Sequence, residues 1–402
     1  MLLPDGTPTP AELADALSDQ LPAGAEVIVP IANGEPVRLL DELEARADRL
    51  DGVRIHQMHA LRDRPYLHGA CSDHLRHVSW FLSHVTRPAF HEGGCDLVPA
   101  NFSEVPTLMA ARAPEVVLAA ASPPDRHGYY SLGVSADYTA ALIGKVPFVL
   151  EVNERMPRTH GTNRLHRSEV LAVTSADYGL VEVPDPDTAP LDCAIAERVV
   201  ERIPDGATIQ LGIGSIPTAL ASFLGDHKHL GVHTELLSTP VVDLIEAGAV
   251  TGLAKSTKRG RVVTTFALGT QRLYDFCDRN DMIQFLPVDE VADPRMIGRE
   301  RCFVSVNATL EVDLFGQCAS ESIGSRYWSG SGGQYRLRPR RAVLRGWRFV
   351  VLHSTTSIPR CQHVPTLRSG AVVTTLKNTV DNVVTEHGWP SGPNCWPSAH
   401  EP

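Results

Sequence analysis

The sequence predicts an α/β protein built from two similar open α/β domains with mostly parallel sheets and an active site in the cleft between them. Three observations carry that expectation. Short apolar runs alternate with helical patterns, several stretches recur in order at a near-constant offset, and a Pro- and Asp-rich segment separates the copies.

The runs VVLAAAS (116–122), VPFVLEVN (146–153), TIQLGIG (208–214) and RFVVLHS (348–354) are too uniformly apolar for strands with one wet face. They fit strands of a parallel sheet covered on both sides. Between such runs, AELADALSDQL, LDCAIAERVVERI and VVDLIEAGAV space their apolar residues near the 3.6 period of a helix.

The repeat is more informative. LPAGAEVIVPIANGEPVRLL (21–40) resembles IPDGATIQLGIGSIPTAL (203–220), DLVPANFSEVP (96–106) resembles QFLPVDEVADP (284–294), and HGYYSLGVS (127–135) resembles EVDLFGQCA (311–319). Gly24 then matches Gly206, Pro99 matches Pro287 and Gly133 matches Gly316, at offsets of 182, 188 and 183 residues. The expected domains are 1–182 and 191–388, joined by Val183-Pro-Asp-Pro-Asp-Thr-Ala-Pro190, with an atypical tail at 389–402. A chain of 402 residues is long enough to give each half its own core.

Composition narrows the function classes. A net charge of −10 argues against a nucleic-acid partner, which calls for a Lys/Arg-rich face, and the run from Arg336 to Arg345 is short and interrupted. MLLPDGTPTPAELADAL lacks the basic start and apolar centre of a signal peptide, and no apolar stretch approaches the ~20 residues of a membrane helix. A cytoplasmic protein without a membrane partner is expected. The eight cysteines, at 71, 95, 193, 277, 302, 318, 361 and 395, form no C-x-x-C pair and read as reduced thiols. Cys71, His74 and His77 have a spacing that would align three ligand types along a helix, but no second cluster follows to complete a metal site.

The stretch Gly212-Ile213-Gly214-Ser215-Ile216-Pro217 ends one predicted strand and opens a helix. Pro217 occupies the place of the third glycine in a dinucleotide fingerprint, and no Gly-Lys-Ser/Thr follows for a phosphate loop. What remains is a turn with unshielded N–H groups at a helix start, suited to an anion or to an oxyanion formed in acyl chemistry. The same glycines equally serve simple strand-to-helix packing. Its N-terminal copy, Ile31-Ala-Asn33-Gly34-Glu-Pro36, keeps one glycine, so one half has specialised. Farther on, Gly231-Val-His233-Thr234-Glu235 brings a carboxylate to a predicted strand end, Ser305-Val-Asn307-Ala-Thr-Leu-Glu311-Val-Asp313 brings amide and carboxylate groups, and Ser329-Gly330-Ser331-Gly332-Gly333-Gln334 brings a flexible row of donors. A lone loop glutamate is more often solvated than catalytic.

At these residues the sequence resembles the class I coenzyme A transferases of the acetyl-CoA hydrolase/transferase family, a group that includes 4-hydroxybutyrate CoA-transferase. SPPDRHGYYSLGVSADY, EVNERMPRTHG, LGIGSIP, GVHTELLS, FALGTQRLYDF, SVNATLEVDLFGQ, SIGSR, SGSGGQ and VVTEHG carry the likeness, from about residue 20 to Gly388. The resemblance implies that Glu235 is the nucleophile of a ping-pong reaction through a glutamyl-CoA thioester. It implies that Gly212, Ile213, Gly214, Ser215 and Ile216 contact CoA, that Asn307 stands beside the glutamate, and that Gly332 and Gly333 belong to a loop closing over the thioester. Acyl-CoA and a small carboxylate are then the partners, CoA is the cosubstrate, and neither metal nor redox cofactor is needed. Two alternatives stay open: a hydrolase using the same glutamate, and a catalytically impaired CoA-ester binder. A homodimer is expected, as is common for such α/β enzymes.

Neighbouring groups have simpler readings. His233 reads as packing rather than as a relay to Glu235, Arg158 as either an acceptor-pocket cation or a structural ion pair, and Glu311 and Asp313 as loop organisers. Three departures from the family pattern stand out. Thr239-Pro240 replaces Asp-Gly after Ser238, the segment between Gln334 and Val364 matches poorly, and WPSGPNCWPSAHEP in the tail has no helical period, suggesting a truncated or frame-altered end.

Overall fold

The computed structural model describes residues 6–334, 346–355 and 362–388. The basic run 336–345 and the tail 389–402 lie outside the described residues, as does most of the poorly matched segment before Val364.

Helix α1 (Pro10–Gln20) follows from its sequence in every detail. Thr9 accepts from the Glu12 N–H, Glu12 accepts from the Thr9 N–H, Pro10 starts the helix, and Leu13, Ala14 and Leu17 are buried. A cap of this kind stabilises a helix by ~1 kcal/mol.

Seven strands, β1 (Glu26–Ile28), β2 (Val53–Gln57), β3 (Leu75–Ser79), β4 (Asp96–Leu97), β5 (Val116–Ala121), β6 (Phe148–Asn153) and β7 (Val170–Ala176), form one wholly parallel sheet in the order β7-β6-β5-β1-β2-β3-β4. Five more, β8 (Thr208–Leu211), β9 (Gly231–Val232), β10 (Phe303–Ala308), β11 (Trp347–Val351) and β12 (Asn382–Val384), form a second parallel sheet in the order β9-β8-β10-β11-β12. The predicted apolar runs become β5, β6, β8 and β11, in which all but one residue is buried.

The internal repeat is visible in these sheets. Gly24 and Gly206 both have left-handed backbones, with φ of 72° and 76°, and each sits two residues before β1 or β8. Only glycine takes that conformation without strain. In both sheets the strand order reverses beside that strand, between β1 and β5 and between β8 and β10, which is where a doubly wound sheet opens a crevice at its carboxyl ends.

The halves interlock. Residues His160–Gly161 pair with Ile283–Phe285, which pairs in turn with Val262–Thr264, so one small parallel sheet draws on both halves. The N–H groups of Ala136 and Asp137 donate to the Thr265 carbonyl at 2.9 and 3.0 Å, and that of Ala267 to Val134 at 2.8 Å. One apolar core runs from Ile28 to Val384 across both. Residues 179–189, between β7 and the next helix, have no regular secondary structure.

The metal-like spacing in Cys71, His74 and His77 does not fall on a helix. Cys71 and His74 lie in turns, His74 Nδ1 meets the Leu50 carbonyl at 2.7 Å, and His77 is buried within β3. Among the described residues, no three His, Cys, Asp or Glu side chains gather as metal ligands, and all six described cysteines are free thiols.

Candidate active site

At the reversal point of the second sheet, the chain leaves β8 and turns through Gly212, Ile213 and Gly214 into helix α2 (Ser215–Phe223). Gly214 has φ of 117°, a backbone closed to side chains, and the N–H of Gly212 donates to Val306 of β10 at 2.9 Å. Among the described residues, the N–H groups of Ile213, Gly214, Ser215 and Ile216 donate to no group. Ile213 is 59% exposed. A bare isoleucine beside four free donors at a helix start suits a ligand with an apolar arm and an anionic or carbonyl end.

Asn307, on β10, abuts this turn: a Cβ at Gly212 would lie 3.6 Å from its Oδ1. Its side chain is held reciprocally by Gln210, with Asn307 Nδ2 donating to Gln210 Oε1 at 2.9 Å and Gln210 Nε2 donating back at 3.3 Å. One Nδ2 hydrogen of Asn307 is therefore spent on Gln210, and the second has no partner among the described residues.

Glu235 follows β9 on the other side of β8. Thr234 Oγ1 donates to the Leu211 carbonyl at 3.2 Å, so the glutamate is tied to the strand that ends in the glycine turn. The Glu235 carbonyl accepts from the N–H groups of Thr265 and Phe266, each at 3.1 Å, and from Thr264 Oγ1 at 3.0 Å. Glu235 is partly buried, and among the described residues its Oε1 is enclosed without a hydrogen-bond partner. Burial alone pushes its pKa up to about 8. Among the described residues no cation pairs with it, so burial acts on its charge without a compensating partner.

The loop 329–334 lies directly over this carboxylate. A Cβ on Gly333 would overlap Oε1, Cδ and Oε2 of Glu235, and Gly332, at φ 55°, is left-handed. The loop is carried by the N-terminal half: Phe102 N–H donates to the Gly332 carbonyl at 2.9 Å, Asn101 bridges Gly332, and Leu82 N–H donates to Ser329 at 3.3 Å. The structure thus brings Gly332 and Gly333 to Glu235, and Asn307 to the glycine turn.

His233 is turned away. Its Nε2 lies 2.7 Å from the Val291 carbonyl, its ring packs edge-on to Phe303, and burial pushes its pKa down to about 4. Arg158 is spent on the Tyr129 and Pro123 carbonyls, with Asp125 3.8 Å away, so it is structural. Asp313 accepts from Phe315 and Gln317, and Glu311 holds Arg368 at 3.0 Å, both organising loops. Thr239-Pro240 opens a helix, Thr239–Glu246, whose first residue accepts from Thr270 N–H. The N-terminal counterpart of the glycine turn is closed: Asn33 bonds Val181 and Tyr274, and Gly34 packs against Pro30 and Ser135.

Sequence reasoning missed Asp192 and His353, which meet behind the turn, and Gln210, which orients Asn307. Pro190-Leu-Asp192, a proline one residue into a helix and an acid at the third position, was the available signal for Asp192.

This arrangement, a desolvated carboxylate beside a glycine-lined donor turn at the carboxyl ends of a parallel sheet, is that of an acyl-transfer enzyme, and the comparisons place it among the CoA-transferases. Residues 12–184 match the acetyl-CoA hydrolase/transferase N-terminal domain and residues 269–391 the C-terminal domain, and the chain belongs to that family. It is 43% identical over 365 residues to succinyl-CoA:cyclohexane-1-carboxylate CoA transferase of Geobacter metallireducens, covering 89% of this chain and 83% of that one. It is 39% identical to 4-hydroxybutyrate coenzyme A transferase of Clostridium kluyveri, covering 90% and 86%. The crystal structure of RipA from Yersinia pestis superimposes with a TM-score of 0.87 at 32% identity, covering 95% of this chain and 89% of that one. Similarity to proteins named acetyl-CoA hydrolase is weaker, 28% and 27% over 45% and 48% of the chain. Among the described residues, no helix is long and apolar enough to cross a membrane.

Proposed function

We propose that this chain transfers CoA between an acyl-CoA and a small carboxylic acid by a ping-pong cycle through Glu235. The Glu235 carboxylate attacks the thioester carbonyl, the C–S bond breaks, and CoA leaves as the thiolate with an acyl-glutamyl anhydride behind it. The thiolate then attacks the glutamyl carbonyl and displaces the donor's carboxylate, leaving glutamyl-CoA. An acceptor carboxylate runs the same steps backwards and departs as its CoA ester.

The observation that carries this reading is the enclosed, unpartnered Oε1 of Glu235 beneath Gly333. A carboxylate is a weak nucleophile, so placement and loss of hydration must supply what basicity does not. The free N–H groups at Ile213 to Ile216 suit CoA, and the second Nδ2 hydrogen of Asn307 and the N–H groups of Gly332 and Gly333 suit the developing oxyanion. Because the loop over Glu235 is anchored to Asn101 and Phe102, the site draws on both halves, which we take as 1–182 and 191–388. Transfer is favoured over hydrolysis because a covered carboxylate limits attack by water on the anhydride, and because the relatives of highest identity are named transferases. A cytoplasmic homodimer is part of the same reading.

The test is the turnover of acyl-CoA with and without added carboxylate. Release of product that rises with acetate, propionate or 4-hydroxybutyrate, with CoA recovered as the new thioester, supports transfer. Release of free CoA at a rate indifferent to carboxylate assigns hydrolysis instead.

A further inference from the structure

One buried carboxylate holds the glycine turn from behind. Asp192, at the third position of the helix Pro190–Val200, is 2% exposed. Its Oδ2 accepts from the Ala189 N–H at 2.8 Å, capping its own helix. Its Oδ1 accepts from Ser215 Oγ at 2.9 Å and faces His353 Nε2 at 2.8 Å. Ser215 is the first residue of α2, and His353 lies two residues past β11. A single oxygen therefore joins three elements at the carboxyl edge of the second sheet.

The geometry has a chemical consequence. The Ser215 hydroxyl has one proton, and that proton is given to Asp192. It is not available to a CoA carbonyl or phosphate. The turn in front of Ser215 contains two glycines, one at φ 117°, and among the described residues the N–H groups of Ile213 to Ile216 bond nothing, so its other backbone ties are the Gly212 N–H to Val306 and the Gly214 carbonyl to the Thr218 N–H. Hydrogen bonds to a charged carboxylate are stronger than neutral ones and hold their partners in direction.

We propose that Asp192 is a positioning residue for CoA binding: through Ser215 it sets the direction of the N–H groups of the glycine turn, with His353 buttressing the same oxygen. This rests on the reading of Gly212 to Ile216 as the CoA contact. Ser215 serves as an anchor, and its hydroxyl proton does not go to the ligand.

The test is calorimetric titration of the full-length protein with free CoA, which needs no turnover. Asp192→Ala and Ser215→Ala should each weaken CoA binding about tenfold, the worth of one charge-assisted hydrogen bond. Asp192→Asn, whose Oδ1 still accepts from Ser215, should bind within about threefold of the unaltered protein. Ser215→Ala leaves the Asp192 cap in place and should melt at the unaltered temperature, so its loss of affinity is not a loss of fold. Unchanged affinity in both alanine variants overturns the positioning role while leaving the CoA reading intact. Absence of CoA binding by the unaltered protein overturns both.

Discussion

Gly333 lies so close over Glu235 that a single added methyl would occupy the space of the whole carboxyl group. The glycine comes from a loop carried by the N-terminal half, and the glutamate from a strand end of the C-terminal half. The proposed nucleophile is thereby enclosed by a partner more than ninety residues away in sequence, and several expectations follow from that contact.

Gly333→Ala should lower kcat/KM by about a hundredfold, since displacing a reacting group by an ångström costs that order in rate. Folding should suffer little, because the loop is anchored at Gly332 and Ser329 rather than at residue 333. Steady-state kinetics beside a thermal melt checks both halves of this expectation.

Burial raises the Glu235 pKa to about 8. The nucleophile must be ionised, so kcat/KM of the free enzyme should climb as pH rises from 6 towards that value and level off above it. Stability runs the other way. With the folded pKa above the unfolded one, the contribution of Glu235 is fully present below pH ~4.3 and is lost as pH rises through about 8. Glu235→Gln removes that loss, so its melting point should exceed that of the unaltered protein by more at pH 8 than at pH 5, while transfer disappears.

His77 on β3 is fully buried with neither ring nitrogen hydrogen-bonded, and burial pushes its pKa down to about 3. A depressed histidine pKa means stability that is complete above the unfolded value near 6.5 and is lost as pH falls towards 3. His77→Leu should therefore flatten the acid side of the stability curve. It should also stabilise the protein at pH 7 by ~1 to 3 kcal/mol, because two orphaned polar atoms disappear. Chemical denaturation at pH 5 and pH 7 measures both effects.

Asn307→Ala should reduce kcat by ~10² to 10³, the loss seen when one oxyanion donor is removed. Gln210→Leu, which leaves the Asn307 amide in place without its partner, should produce a smaller fall in the same constant. An equal or larger fall from Gln210→Leu would assign the donor role elsewhere.

Much of this was legible in the sequence, for stated reasons. Gly24 and Gly206 mark equivalent turns because each must adopt a left-handed backbone before a central strand, and that requirement survives when side chains drift. The runs that became β5, β6, β8 and β11 were readable because parallel strands bury both faces. Family likeness named Glu235 and placed Gly332 and Gly333 in a loop closing over its thioester, but the anchoring of that loop on Asn101 and Phe102 was not readable, since it depends on contacts more than two hundred residues apart. Asp192, His353 and Gln210 escaped notice because their roles lie in meeting residues 23, 161 and 97 positions away. The Cys71, His74 and His77 spacing, set aside for want of a second ligand cluster, falls where a turn leads into a strand and not along a helix.

The most direct test of the central claim is the intact mass of the protein after brief incubation with acetyl-, butyryl- or succinyl-CoA, followed by peptide mapping. The account predicts a CoA adduct on Glu235 that vanishes when a carboxylate acceptor is added. An adduct on another residue, or none with any acyl-CoA that the protein turns over, would contradict it.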